Sequence, residues 1–237
     1  MAIYNPPAAI VPFKPGDIIK ERYTLVKQIG AGSYGAIFEA IYQNEIISKL
    51  VAIKFEKIVF YKPILQNELI VLKALASNQH YARFYQYGTH EKCKFVAMEL
   101  LGPSLLTLVN SKKPYRFSLC SILKFGVQAI EALQALHQAG FVHRDIKPSN
   151  FVIGSTVETS NRIYLIDFGL CKKLNVKDRI VVKPSMKGNF RGTLRYASIN
   201  AHRKRELGRN DDFMSLIYIF VEFYTGSLPW NDITDPV

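Results

Sequence analysis

Cysteine is scarce in this chain. Only Cys93, Cys120 and Cys171 occur, odd in number, widely spaced and without metal-ligand patterning, which argues against a disulfide scaffold or a zinc site. A reducing compartment follows as the simplest expectation, and with it an intracellular protein of the cytoplasm or nucleus. A basic segment leading into an apolar one is missing from the N-terminus. The opening residues MAIYNPPAAIVPFKPG instead carry prolines at positions 6, 7, 12 and 15, which interrupt any helix and exclude a signal peptide or a spanning segment there. Long apolar runs are also absent. The longest candidate, residues 213–224, contains Glu222 and falls short of the roughly 20 residues a bilayer requires, so a soluble chain with no membrane partner is expected. Repeats and low-complexity tracts are missing, and acids are few, 19 Asp and Glu against 31 Lys and Arg. What remains is a globular composition, 49% hydrophobic and 21% charged over 237 residues, long enough for a sizeable core and one catalytic unit with two lobes.

The stretch HRDIKPSN, His143 to Asn150, holds the densest chemistry. An ionised Asp145 can orient an attacking hydroxyl and accept its proton. Lys147 can set positive charge where negative charge spreads over a transferring phosphoryl group, and Asn150 offers a neutral oxygen to Mg²⁺. Alone, such a loop reads as a solvated turn before a proline. A second motif changes that reading: Asp167-Phe168-Gly169 follows the apolar run 163–166. A strand at 151–153, a polar turn at 154–161 and a strand ending at Ile166 form an expected hairpin, which returns Asp167 beside Asn150 and pairs two oxygen ligands for magnesium.

Upstream, Gly30, Gly32 and Gly35 stand in GxGxxG spacing, a weak signal shared with dinucleotide-binding turns. The flanks favour a hairpin over phosphates, because residues 36–42 are β-rich and VAIK at 51–54 follows as another strand. Lys54 then supplies a point charge for the α- and β-phosphates. Glu68, fourteen residues later on a helical pattern through Ile64, Leu65, Leu69, Leu72 and Leu75, reads as a solvated carboxylate by itself and as the partner of Lys54 beside VAIK. The composition changes from β-rich to helical after KFVAMELL, placing a hinge at 99–104. An adenine is expected to bond to Glu99 C=O and Leu101 N–H, with Met98 lining its pocket. A long helix is predicted over 118–138, with Leu119, Ile122, Leu123, Val127, Ile130, Leu133 and Leu136 as its core face and Gly140 just past its end. Cys171 reads as inert packing in preference to a reactive thiol.

In this order and spacing the motifs resemble those of eukaryotic protein kinases, specifically the casein kinase 1 group. GAGSYGAI, VAIK, Glu68, HRDIKPSN and DFG fill the general pattern over residues 23–169, while ELLGPSL at 99–105 and RGTLRYASIN at 191–200 suggest the group. NAHRKRELGRNDDFMSL at 200–216 looks most like the tau-tubulin kinase branch. The resemblance implies an α+β bilobal kinase fold: an extended arm at 1–20, a small β-rich N-lobe with one helix at 21–98, the hinge at 99–104 and a mainly helical C-lobe at 105–237. It implies ATP with Mg²⁺ and Ser/Thr specificity carried by Lys147. The catalytic residues are then Asp145 and Lys147, and the metal ligands Asn150 and Asp167. The nucleotide site comprises Ile29, Gly30, Ala31, Gly32, Ser33, Tyr34, Gly35, Ala36, Ile37, Lys54, Glu68, Met98, Glu99 and Leu101. Arg191 and Arg195 match positions where this group gathers substrate anions, and Asp212 matches the carboxylate that anchors the catalytic loop.

Two departures accompany the match. The group continues through further helices after the GSLPW motif at 226–230, whereas this chain stops at Val237, so a C-lobe lacking its last helices, with apolar surface exposed, is expected. Asn231-Asp232 follows Trp230 where casein kinase 1 proper usually has Gln-Gly, so its detailed substrate preference is not carried over. The expected function is a protein Ser/Thr kinase, with a kinase-shaped scaffold or inactive truncated product as the alternative. Residues 172–205 hold eleven Lys or Arg and one acid, Asp178, a net of +10. That charge favours acidic or phosphorylated protein substrates over a merely solubilising surface, and nucleic acid is not expected.

Overall fold

The computed structural model describes residues 11–32, 35–58, 64–111, 113–174, 176–177, 180–181 and 190–231. The chain divides into two compact units, Met1–Ala76 with Ala82–Leu101, and Ser77–Tyr81 with Gly102–Val237.

The first unit is an antiparallel sheet with one helix. Its strands are β1 (Ile18–Ile19), β2 (Tyr23–Gly32), β3 (Gly35–Gln43), β4 (Ser48–Lys57), β5 (Phe84–His90) and β6 (Cys93–Glu99), in the spatial order β1-β2-β3-β4-β6-β5, and α1 spans Ile64–Ala74. Alternation along β4 separates two faces, because successive side chains of a strand point to opposite sides. Ile53 and Phe55 enter an apolar cluster with Phe38, Phe95 and Ala97. Lys54, between them, emerges on the other face, opposite Ile37 of β3 and Val96 of β6 in the ladder. The expected N-terminal arm is part of this unit where it is described. Val11 and Phe13 are buried in the apolar cluster, with the Phe13 ring 4.5 Å from that of Phe55, and Ile18 and Ile19 pair with β2.

The second unit is mainly helical. It contains α2 (Leu105–Val109), α3 (Leu119–Gln138), α4 (Ile199–His202) and α5 (Arg209–Thr225), with short strands β7 (Phe141–Val142), β8 (Phe151–Ile153), β9 (Ile163–Leu165), β10 (Lys172–Lys173), β11 (Val176–Lys177) and β12 (Ile180–Val181). The Ser118 hydroxyl caps α3 by accepting from Ser121 N, and Gly140 follows the helix at φ +85°, the left-handed residue that commonly ends a helix. By length and composition alone α3 could cross a bilayer, which makes it a longer candidate span than residues 213–224. One face of it, however, is core. Phe125 packs edge-on against Phe151 and Phe220 at 5.0 and 5.7 Å.

The core face of α3 differs from the predicted one. Ile122, Leu133 and Leu136 are buried as expected, together with Phe125, Gly126, Ala129 and Ala132, but Leu119, Leu123, Val127 and Ile130 are exposed. The helix is apolar on both sides, so its periodicity does not select a face. Small residues do: a Cβ on Gly126 would lie 3.2 Å from the Phe220 ring, and only small side chains let the α3 and α5 backbones approach this closely. Met214, Ile217, Val221 and Tyr224 of α5 are exposed as well.

Residues Ser77–Tyr81, which precede β5 in sequence, belong to the second unit. His80 Nδ1 bonds Ile163 O at 2.8 Å, Leu165 N donates to His80 O, and the Tyr81 hydroxyl donates to Ala132 O at 2.7 Å. The Tyr81 ring stacks on Phe168 at 5.5 Å, and its burial raises the phenol pKa.

Candidate active site

In the first unit, Lys54 Nζ meets Glu68 Oε2 at 2.6 Å. The β4 ladder sets the lysine and α1 the carboxylate, and Glu68 is 3% exposed, a burial an ionised carboxylate tolerates when paired. The glycine-rich stretch is a hairpin: β2 and β3 pair Gly30 with Ile37, Ala31 with Ala36 and Gly32 with Gly35. Glycine is required at 35, since a Cβ there would sit 1.8 Å from Phe55 O. Ser33 and Tyr34 lie outside the described residues. Ile29 is exposed and Met98 buried. Glu99 is fastened to Arg83 twice, its N–H donating to Arg83 O at 2.9 Å and its Oε2 accepting from Arg83 N at 3.1 Å. Leu101 is the last residue of this unit.

In the second unit, β8 pairs with β9, Phe151 opposite Leu165. One step further, Ile166 N donates to Asn150 O at 3.0 Å. The hairpin therefore brings Asn150 and Asp167 to one end, as its sequence predicts. Asn150 is buried and its amide nitrogen donates to Asp145 O at 2.8 Å, so the amide oxygen is the remaining acceptor. Asp167 sits at φ +65°, a conformation that costs a non-glycine residue about 1 kcal/mol or more and collects at functional positions.

The Asp145 carboxylate is 8% exposed. Its Oδ2 accepts from Lys147 Nζ at 2.6 Å and its Oδ1 from the Thr193 hydroxyl at 2.8 Å. Asp145 N–H donates to His143 Nδ1 at 3.3 Å. That ring nitrogen is therefore the acceptor, and Nε2 carries the proton toward Ile166 O at 3.1 Å. Asp212, 1% exposed on α5, holds the loop from beneath. Its Oδ2 accepts from His143 N and His137 Nε2, both at 2.8 Å, and its Oδ1 from Arg144 N at 2.9 Å. Those bonds offset the strain of Arg144, which lies at φ +69°. Arg144 donates through Nε to Leu170 O; its pKa is lowered by burial and then by the charge of Arg191.

Nothing in the sequence marks Thr193 as part of this site. It lies 48 residues from Asp145, and no periodicity joins them. Gly192 explains the approach, since at φ +96° a Cβ there would lie 2.6 Å from Arg144 O. Asp211 likewise carries no sequence signal. Its Oδ1 accepts from Ser198 Oγ and Asn200 Nδ2, and its Oδ2 from Gly208 N, tying the Ser198-Ile199-Asn200 motif to the start of α5. Of the two arginines expected to receive anions, Arg191 lines a small cavity with Arg144, Thr193 and Ser198, whereas Arg195 is paired with Glu222.

Two oxygen-bearing side chains at one hairpin end suit a hard cation that retains several waters. A carboxylate flanked by an ammonium and a hydroxyl suits an incoming hydroxyl group. Residues 23–236 match the protein kinase domain family. Similar proteins include a probable serine/threonine-protein kinase of Dictyostelium discoideum, 44% identical over 223 residues that cover 94% of this chain and 45% of the relative. Casein kinase I homologs 3 and 2 of Schizosaccharomyces pombe are 36% and 35% identical, covering 92% and 91% of this chain and 49% of each relative. The chain spans about half the length of these curated relatives.

Proposed function

The chain belongs to the protein kinase family, and from that premise we propose that it transfers the γ-phosphoryl group of ATP to serine or threonine of acidic or already phosphorylated proteins. The observation that carries the proposal is the Asp145 carboxylate, held between Lys147 and Thr193 on a loop anchored by Asp212. Asp145 orients the substrate hydroxyl and takes its proton as the oxygen bonds to the γ-phosphorus. The bond from that phosphorus to the β–γ bridging oxygen breaks, and ADP leaves. Lys147 meets the charge spreading over the transferring group, and Lys54, positioned by Glu68, meets the α- and β-phosphates. The described parts of the glycine-rich hairpin, residues 29–32 and 35–37, would offer backbone N–H groups to the phosphates, and Met98, Glu99 and Leu101 would receive the adenine. Asn150 and Asp167 would hold Mg²⁺, which when bound supplies positive charge to the phosphate oxygens.

The motif at 200–216 supports placement near the tau-tubulin kinase branch, and Arg191 beside Arg144 supports the preference for anionic substrates. None of the three cysteines forms a disulfide, which suits the cytoplasm or nucleus. A non-catalytic, kinase-shaped scaffold is the second reading, motivated by the exposed apolar residues of α3 and α5. One assay separates the two: transfer of ³²P from labelled ATP to casein and tubulin by this chain and by Asp145→Asn. The variant keeps the nucleotide contacts and should lose roughly 10²-fold or more in turnover, the scale of general-base catalysis. Equal transfer by both proteins would reject Asp145 as the base, and no transfer by the parent chain would favour the scaffold.

A further inference from the structure

Arg195 is not a bare cation. Its guanidinium is paired with Glu222, and its carbonyl oxygen accepts from Trp230 Nε1 at 2.8 Å. The Glu222 carboxylate is held in turn, because its Oε2 accepts from the Tyr196 hydroxyl at 2.5 Å. Glu222 lies in the last turn of α5, where the helix dipole disfavours negative charge. Its side chain is only 12% exposed, so it requires a cation, and among the described residues Arg195 supplies it. Arg191, by contrast, lines a small cavity with Arg144; the carboxylates on that cavity, Asp145, Asp211 and Asp212, already accept hydrogen bonds, which leaves the two guanidinium groups to attract an anion.

We propose that Glu222 sets the charge selectivity of the substrate surface by withholding Arg195, so that anion recognition falls to Arg191 and loss of the Glu222 carboxylate turns Arg195 into a second anion ligand. This deepens the kinase reading, on which it rests for the identity of the surface as substrate-binding. The ligand chemistry is a phosphorylated or carboxylate-rich peptide, whose oxygens match the fork of a guanidinium. Glu222→Gln is the informative change, since it keeps the size of the side chain and an oxygen acceptor for Tyr196 while removing the charge.

The test measures peptide affinity by fluorescence anisotropy without ATP. The probes are labelled short serine peptides, neutral except for one phosphoserine at successive positions around the acceptor, and their unphosphorylated counterparts. Glu222→Gln should tighten the best phosphopeptide by about fivefold, the scale of one added charge-assisted contact at a partly exposed site, and leave the plain peptide within about twofold. Arg195→Ala in the parent chain should weaken phosphopeptide binding by less than about twofold, whereas Arg191→Ala should weaken it by about fivefold. The double variant E222Q/R195A should lose the gain of E222Q. Equal effects of Glu222→Gln on both peptides, or a loss on Arg195→Ala as large as that on Arg191→Ala, overturns the proposal. Should Glu222→Gln melt far below the parent chain, the comparison of the two arginine variants still decides. Phosphate transfer by the parent chain is measured separately, so that a failed kinase reading and a failed selectivity reading give different results.

Discussion

The Asp145 carboxylate has both oxygens engaged, one by the Lys147 ammonium and one by the Thr193 hydroxyl. Thr193 acts through Asp145, fixing the direction in which the free lone pairs point. Thr193→Val keeps the shape and removes that bond. Turnover should fall about tenfold, in line with losing one hydrogen bond to a charged group, while KM for ATP stays unchanged in steady-state kinetics and the melting temperature moves little. A rise in KM for ATP with unaltered turnover would show that Thr193 serves the nucleotide and not the base.

Among elements, α3 departs most from what its sequence suggests, while the described part of the N-terminal segment, residues 11–20, belongs to the first unit. Prolines prevent the segment from forming a helix, yet Phe13 fills a gap between the Phe55 ring at 4.5 Å and the His90 ring at 5.7 Å. Phe13→Ala should destabilise the first unit by about 3 kcal/mol or more, the usual effect of deleting a buried phenyl ring, measured as a lowered denaturation midpoint. An unchanged midpoint would mean that the segment merely lies on the sheet. In α3, Gly126, Ala129 and Ala132 share the buried face with Ile122, Phe125, Leu133 and Leu136, and Leu119, Leu123 and Val127 lie on the exposed side.

For the whole molecule, nucleotide binding links to stability. A ligand that binds only the native state at a hundredfold excess over its Kd stabilises it by about 2.7 kcal/mol. Magnesium-ATP should therefore raise the melting temperature, and either Asp167→Ala or chelation of the metal should remove most of the rise. An equal rise in the variant would discard Asp167 as a ligand. The net charge of +12 acts at the same scale. Preference for acidic over neutral peptides should shrink as salt is raised from low to physiological strength, where screening acts over about 8 to 10 Å. A preference indifferent to salt would locate selectivity in buried contacts.

What the sequence determined by itself is local or nearly so. The ends of α3 follow from Ser118 and Gly140, and the β8–β9 hairpin that brings Asn150 and Asp167 together follows from two short apolar runs around a polar turn. The Lys54 and Glu68 pair is legible only beside the VAIK motif, since Glu68 by itself reads as a solvated helix carboxylate. These features depend on backbone preferences and on residues a few positions apart, which one chain records directly. Tertiary structure decided the rest: which side of an apolar helix is buried, which hydroxyl reaches Asp145 from 48 residues away, which carboxylate holds Arg195, and why Tyr81 belongs with Phe168 instead of with the strand that follows it. Each of these depends on how closely two backbones approach and on which buried donor finds which acceptor, and that is settled only when the whole unit packs.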